Sequence, residues 1–218
     1  MLSHFTIDCV ILTFGEKGLQ VLLCERNQYP YKDWWALPGN FIDPYEEMEK
    51  AVDRILYELT GLKDIYMDQL AAFGGVKRHP EGRILTVAYY TLLSLEDVKI
   101  KIKPVSDYMR TAQWVDINHL PKLAFDHLEI IERAKQELKL KIDYSPIVYE
   151  LLPEKFTLTQ LQNIYEAILE KQLDKRNFRK KILSFSYVLP LEEFQTGVSY
   201  RAARLYKFDR SLYDKEKE

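Results

Sequence analysis

Residues 39–62 read GNFIDPYEEMEKAVDRILYELTGL. Met48, Ala51, Ile55, Leu56 and Leu59 recur there at helical spacing, which gathers them on one apolar face. Pro44 suits a first helical turn and Gly61 a stop, so a helix is expected from Pro44 to about Thr60. Upstream, Phe5 to Phe14 and Leu19 to Cys24 are rich in Val, Ile, Leu and Thr and read as strands. Gly15-Glu16-Lys17-Gly18 between them reads as a hairpin turn. A long loop with Tyr29, Pro30, Tyr31, Trp34 and Trp35 then leads to Ala36-Leu37-Pro38-Gly39. Downstream, strands are expected at 65–73, 83–95 and 111–115, and a closing helix from about His127 to Leu140. Strands on both sides of a central helix, with a second helix at the end, predict an α/β/α layered domain.

After residue 140 the pattern changes. Residues 141–152 read as a connector, and Thr157-Leu158-Thr159-Gln160 is a capping box opening a helix. That helix shows Leu158, Leu161, Ile164, Tyr165, Ile168 and Leu169 on a wide apolar face. Asp174 suits the N-cap of a second helix, Lys175 to Leu183. Strands at 187–191 and 203–208 then flank a polar tip at 192–200. Helix, turn, basic helix and hairpin are the parts of a winged helix-turn-helix. The expected organisation is an α/β sandwich over 1–145 followed by a small winged helix over 150–212.

The composition agrees with two folded modules. Hydrophobic residues make up 47% and charged residues 29% of the 218, which excludes disorder and collagen-like structure. Fifteen Tyr, ten Phe and three Trp supply aromatic area for two modest cores. Cys9 and Cys24 sit in apolar runs, as buried thiols do, and no Cys/His pair has zinc spacing. No stretch approaches a membrane span and the first residues do not read as an export signal, so a cytoplasmic location is expected. The net charge of −2 hides an asymmetry, because residues 151–218 carry +3 and residues 1–150 carry −5.

Residues 39–62 resemble the box of the Nudix hydrolases, Gly-x5-Glu-x7-Arg-Glu-hydrophobic-x-Glu-Glu-x-Gly-hydrophobic. Gly61 and Leu62 anchor its end, Glu58, Leu56, Arg54 and Glu46 match inside it, and Trp35 to Gly39 resemble its approach. Asn40 replaces the leading glycine, Ile55 the glutamate after the arginine, and Leu59 the second glutamate of the closing pair. In the family those helix carboxylates share one face and hold divalent cations against a diphosphate. One of three survives here, so no metal, no cofactor and no catalytic set is expected, only a remnant of Gly39, Glu46, Arg54 and Glu58. The resemblance also places Arg26, Trp35, Phe73, His79, Arg83, Asp126 and His127 as candidate ligand contacts. Trp35 and Phe73 read equally as packing, Arg26, His79 and Arg83 as solvated charge, and Asp126 as a helix cap.

Six Lys and Arg fall within residues 171–181, opposed by Asp174 alone. Phe178, Ile182 and Leu183 can anchor this helix while Arg176, Asn177, Arg179 and Lys180 project outward. Arg pairs well with guanine and Asn with adenine, whereas Lys and Thr more often meet phosphates. Candidate DNA contacts are therefore Thr157, Thr159, Lys175, Arg176, Asn177, Arg179, Lys180, Arg201 and Arg204. Residues 156–162, 174–181 and 201–208, behind a Nudix-like half, resemble the Nudix-related transcriptional regulators of bacteria, which control NAD metabolism or the use of sugars such as arabinose. The resemblance implies a homodimeric, ligand-responsive repressor on a near-palindromic double-stranded DNA operator. Its small-molecule effector would be a sugar or an ADP-ribose-like nucleotide, and loss of the metal carboxylates favours the sugar. A Mg²⁺-dependent pyrophosphatase acting on ADP-sugars is the alternative, and a ligand-binding partner protein whose basic helix docks on acidic protein rather than DNA is a third.

Overall fold

An eleven-residue run of apolar and β-branched side chains makes the first strand the centre of the molecule. In the computed structural model, which describes residues 4–15, 18–61, 63, 65–94, 109–197 and 202–217, strand β1 spans Phe5–Gly15. It pairs antiparallel with β2 (Gly18–Arg26), Gly15 facing Gly18. Glu16 and Lys17 of the expected turn lie outside the described residues, and Gly18 adopts φ +93°, a conformation that favours glycine. Along its other edge β1 runs parallel to β6 (Leu85–Leu93), which pairs antiparallel with β5 (Asp68–Phe73). The short strands β3 (Trp35–Ala36) and β4 (Gly39–Phe41) join β2 and β1, and β7 (Met109–Asp116) joins β2.

Both faces of this sheet are buried, and side-chain alternation divides them. Ile7, Cys9, Ile11, Leu22 and Cys24 face helix α1 (Met48–Thr60), packing against Ala51, Ile55, Leu56 and Leu59. Both cysteines are buried and free, and burial pushes the Cys24 thiol up to about 12. Val10, Leu12, Val21 and Leu23 face the opposite layer, formed by α2 (His127–Lys141) and the elements after it.

Helix α1 starts four residues later than Pro44 suggested. Residues 43–46 form a turn, with Glu46 N–H donating to Asp43 O at 3.1 Å, while the Glu46 side chain reaches forward to Arg54. At its far end Gly61 closes the helix at φ 77°.

The expected connector is part of the core. Pro146–Leu151 form a 3-10 helix in which Val148 is fully buried and Tyr149 and Leu151 nearly so. They join the second face of the sheet to α3 (Leu158–Leu169) in one continuous cluster. The two cores are therefore divided by the faces of the sheet, and the C-terminal helices share one of them.

Helix α3 opens with the capping box as read: Thr157 Oγ1 accepts from Gln160 N–H, and Gln160 Oε1 accepts from Thr157 N–H at 2.7 Å. Asp174 caps α4 (Lys175–Ile182) by accepting from Asn177 N–H at 2.8 Å. Strands β8 (Val188–Phe194) and β9 (Arg204–Phe208) form the hairpin, tied to the start of α3 by paired backbone bonds between Phe156 and Tyr206. A helix α5 (Arg210–Lys217), unforeseen in the sequence, follows. Asp209 accepts from Leu212 N–H and Ser211 Oγ at its start, and Tyr213 packs edge-on against Tyr187. Among the described residues no helix is long and apolar enough to cross a membrane.

Thr157→Ala removes one half of the capping box and should destabilise the chain by about 1 kcal/mol. The midpoint of urea unfolding should fall while its slope stays unchanged.

Candidate functional site: a cavity at the head of α2 and a basic helix

Period two turns Asp8 to the same face of β1 as Val10 and Leu12, beneath the first turn of α2. A buried carboxylate there needs partners. Arg78, from the loop between β5 and β6, places Nη2 3.2 Å from Asp8 Oδ2. The same guanidinium grips Asp126 through both prongs, Nε at 2.8 Å and Nη2 at 2.9 Å. His127 Nδ1 accepts from Leu37 N–H at 2.9 Å, which demands an unprotonated nitrogen and leaves the ring proton on Nε2. That Nε2 faces Asp8 Oδ1 at 3.4 Å. Burial by itself would raise the Asp8 carboxyl, but His127 and Arg78 outweigh it and hold the group below the ordinary carboxylate value.

Gly39 is fixed by this arrangement. A Cβ at position 39 would lie 2.2 Å from Asp8 Oδ1 and 2.6 Å from Ile7 O, so only glycine lets β4 approach β1 here.

A cavity of about 280 Å³ opens against the network, walled in part by Arg26, Gly39, Asn40, His79, Phe125 and His127. Phe125 is its aromatic centre. His79 stacks on the Phe125 ring at 4.9 Å and 14°, Tyr31 meets it edge-on, and the Arg26 guanidinium lies 4.9 Å from its centroid. Pro30 O accepts from Arg26 Nε at 2.9 Å and aims the group. Burial lowers both Arg26 and His79; the arginine stays cationic and the histidine is mostly neutral near pH 7. The cavity thus places aromatic rings, Phe125 and His79, beside a cation.

Three of the seven expected ligand contacts, Arg26, His79 and His127, line the cavity. The other four do not. Trp35 and Phe73 are partly buried against the core. Arg83 is exposed and lies outside the cavity wall, and the Asp126 carboxylate is held by Arg78. Asp126 does occupy the N-cap position of α2, but without a side-chain capping bond, because the arginine has taken its oxygens. Asp8, Arg78 and Phe125 were missed. Asp8 carried a signal as the one charge in an apolar strand; Arg78 sits in a basic loop that looks like any other.

The remnant box is closed upon itself. Arg54 holds Glu46 with two bonds of 2.8 and 2.7 Å, reaches Glu58 Oε2 at 3.3 Å and donates to Phe41 O at 3.1 Å. These bonds hold Glu46 below the ordinary carboxylate range. Ile55 and Leu59, at the positions of missing carboxylates, are buried in the core beneath the sheet. Among the described residues no group of three or more His, Cys, Asp or Glu could hold a metal ion. The divalent cations of the Nudix box do not fit these residues: two of the three carboxylate positions are apolar, and the one that remains, Glu58, lies 3.3 Å from Arg54.

On α4, Phe178 and Ile182 are buried while Lys175, Arg176, Asn177, Arg179 and Lys180 are exposed along one outer face. Thr159 is exposed at the head of α3. Thr157 is a correction: it is 4% exposed, and both its hydroxyl and its N–H are taken by Gln160, so it caps the helix and cannot reach a phosphate. Arg204 donates to Leu191 O and pairs with Glu192, which ties the two hairpin strands together. Arg201 lies outside the described residues.

A Nudix-type sandwich with two of its three helix carboxylates replaced, sharing a core with a winged helix, defines a two-part chain of Nudix-like domain and DNA-binding module. The NUDIX domain family matches residues 3–134, and the NrtR DNA-binding winged helix domain matches residues 148–208. The chain is 35% identical to the "ADPR responsive transcriptional repressor NtrR" of Acinetobacter baylyi, over 96% of this chain and 83% of that protein. It is also 35% identical to the ADP-ribose pyrophosphatase of Methanocaldococcus jannaschii, over 54% of this chain and 66% of the relative. The crystal structure of Shewanella oneidensis NrtR complexed with a 27mer DNA superposes with TM-score 0.81 at 31% identity, covering 97% of this chain and 96% of that one. The NUDIX domain of the same protein complexed with ADP ribose gives TM-score 0.57 at 32% identity, covering 63% and 90%. The chain belongs to the NrtR family of Nudix-related transcriptional regulators.

Asp8→Asn should destabilise the protein at neutral pH by about 1–3 kcal/mol, because Arg78 stays buried with one of its two carboxylates gone and His127 Nε2 loses its charged acceptor. A carboxylate held below its ordinary value stabilises the fold above that value, and the contribution fades as pH falls through the lowered one. The gap between wild type and Asp8→Asn in denaturant unfolding should therefore be full at pH 7 and shrink in acid below pH ~4.

Proposed function

We propose that this protein is a cytoplasmic transcriptional repressor that binds a near-palindromic operator as a homodimer and responds to ADP-ribose or a close relative of it. The observation that carries the reading is α4, a helix anchored by Phe178 and Ile182 whose exposed face is Arg176, Asn177, Arg179 and Lys180. An apolar seam on one side and bidentate base readers on the other are what a major-groove helix requires. Lys175, Lys180 and Thr159 serve as phosphate contacts, and Arg204 adds a cation to the hairpin.

The cavity at the head of α2 takes the effector. ADP-ribose offers an aromatic base for the Phe125 and His79 rings and a diphosphate for Arg26. A sugar such as arabinose would leave both unused, so the nucleotide is preferred to the sugar that loss of the carboxylates alone favoured. A relative described as responsive to ADPR and an ADP-ribose complex of a related NUDIX domain support the same choice. The protein binds this ligand without hydrolysing it, since Ile55 and Leu59 stand at two of the three metal-carboxylate positions and are buried in the core. Effector binding shifts the population between arrangements of the two winged helices that fit the operator and those that do not.

Selection of genomic fragments by the purified protein, followed by shift assays at fixed salt, should yield one near-palindromic motif whose retention changes with ADP-ribose and not with arabinose. Arg176→Ala and Arg179→Ala should each weaken operator binding by about 1–3 kcal/mol and relax its specificity. Lys180→Ala should weaken all sequences alike and reduce the salt slope by about one. Unchanged affinity in all three variants would remove α4 as the reading element. Incubation with ADP-ribose and Mg²⁺ at high protein concentration should give no product. Hydrolysis that disappears in Glu58→Gln would establish the pyrophosphatase instead.

A further inference from the structure

We propose that Glu170 is the positioning residue through which α2 sets the recognition helix, so that the effector cavity and the DNA-reading surface are joined by a two-lysine clamp. The inference rests on the repressor reading above and adds the path by which the ligand acts.

Helix α3 ends at Glu170 in the left-handed conformation, φ 52° and ψ 38°. Helices that close this way usually place glycine there, because a Cβ is strained at positive φ. A glutamate at this position is explained by its carboxylate. Oε1 lies 3.0 Å from Lys135 Nζ and Oε2 lies 2.6 Å from Lys139 Nζ. The two lysines are four residues apart on α2 and therefore share one face. All three side chains keep some contact with solvent, so the pairs add little to stability. Neither helix termination nor stability accounts for the residue, whereas fixing one helix against another does.

The clamp joins two rigid pieces. Helix α2 is a rod of 15 residues, about 22 Å long. Its head lies in the cavity wall, where His127 bonds Leu37 and Asp8, and Asp126 holds Arg78. Glu170 starts the other piece. Glu166 Oε1 accepts from Gln162 Nε2 and from Leu173 N–H, both at 2.9 Å, and Gln162 Nε2 also reaches Leu173 O at 3.0 Å. Asp174 then caps α4 directly. The turn between α3 and α4 is thus tied throughout, and Glu170 carries a tilt or slide of α2 into it, beside the Lys181–Asp143 ion pair that joins α4 to the residues after α2. A ligand that presses on the head of α2 has a lever on the DNA-reading face.

The test compares the full-length wild type with Glu170→Gly and with the double variant Lys135→Gln/Lys139→Gln. Operator affinity is measured at fixed salt with and without saturating ADP-ribose, and ADP-ribose affinity by calorimetry. Glycine relieves the backbone strain at position 170, so the melting temperature should hold. ADP-ribose affinity should stay within about twofold of wild type, since none of the three side chains lines the cavity. The ratio of operator affinities with and without ADP-ribose, about fivefold or more in wild type, should fall toward one in both variants. A wild-type ratio that survives in Glu170→Gly, or in the lysine pair, overturns the clamp and leaves the repressor reading intact. A wild-type ratio of one overturns the effector reading and the clamp with it.

Discussion

A carboxylate in the middle of a central strand has to be satisfied without bulk water, and the way Asp8 is satisfied organises the sensor half. Its partners come from two places far apart in the chain: Arg78 from a loop, and His127 from the head of α2, whose neighbour Asp126 joins through that arginine. Breaking one partner of a buried ion pair costs far more than the pair gains over an apolar alternative. The network therefore holds the loop, the strand and the helix in one arrangement. The requirement for glycine at position 39 follows from it, as does the placing of Phe125 beside His79. The cavity is the space left where these pieces meet.

The second constraint is the shared core. Val10, Leu12 and Leu92 of the sheet lie in one cluster with Val148 of the 3-10 helix and Leu161 and Ile164 of α3. A flexible linker would let the winged helix drift independently of the sensor. A packed segment makes the two halves move by sliding along a common apolar surface, which permits a few discrete arrangements rather than a continuum. Polar ties lie at the edge of that surface. Lys181 reaches Asp143, and Tyr165 OH donates to Ile142 O at the end of α2.

The sequence announces what is local. The capping box at Thr157, the cap at Asp174, the closing Gly61 and the alternation of β1 each depend on neighbours within a few residues, and each is where the residues placed it. Non-local features were hidden. Pro44 looked like a helix start because the pull of Arg54 on Glu46, eight residues on, cannot be seen from spacing. Residues 141–152 looked like a connector because their burial depends on α3 arriving from the other side. Helix α5 was lost in a charged tail that reads as solvated; its holding contacts, Tyr213 to Tyr187 and to Tyr144 O, are tertiary. Trp35 and Asp126 resembled ligand contacts by type, and what decides their role is which neighbour reaches them first.

The degraded box is best understood as a change of allegiance for one helix face. In a hydrolase, carboxylates gathered there repel one another and are stable only around cations, so the face is held open for metal and substrate. Ile55 and Leu59 turn two of those positions into core, where each buried side chain stabilises by about 1.5–3 kcal/mol instead of demanding a counter-ion. Glu58, the one helix carboxylate left, pairs with Arg54, which also ties the loop through Glu46. The loop from Phe41 to Glu46 is then fixed without any ion, since the same guanidinium also holds Phe41 O. A sensor needs a pocket whose shape depends on its ligand alone. Replacing a metal-dependent face by an apolar one and an internal ion pair removes the second variable.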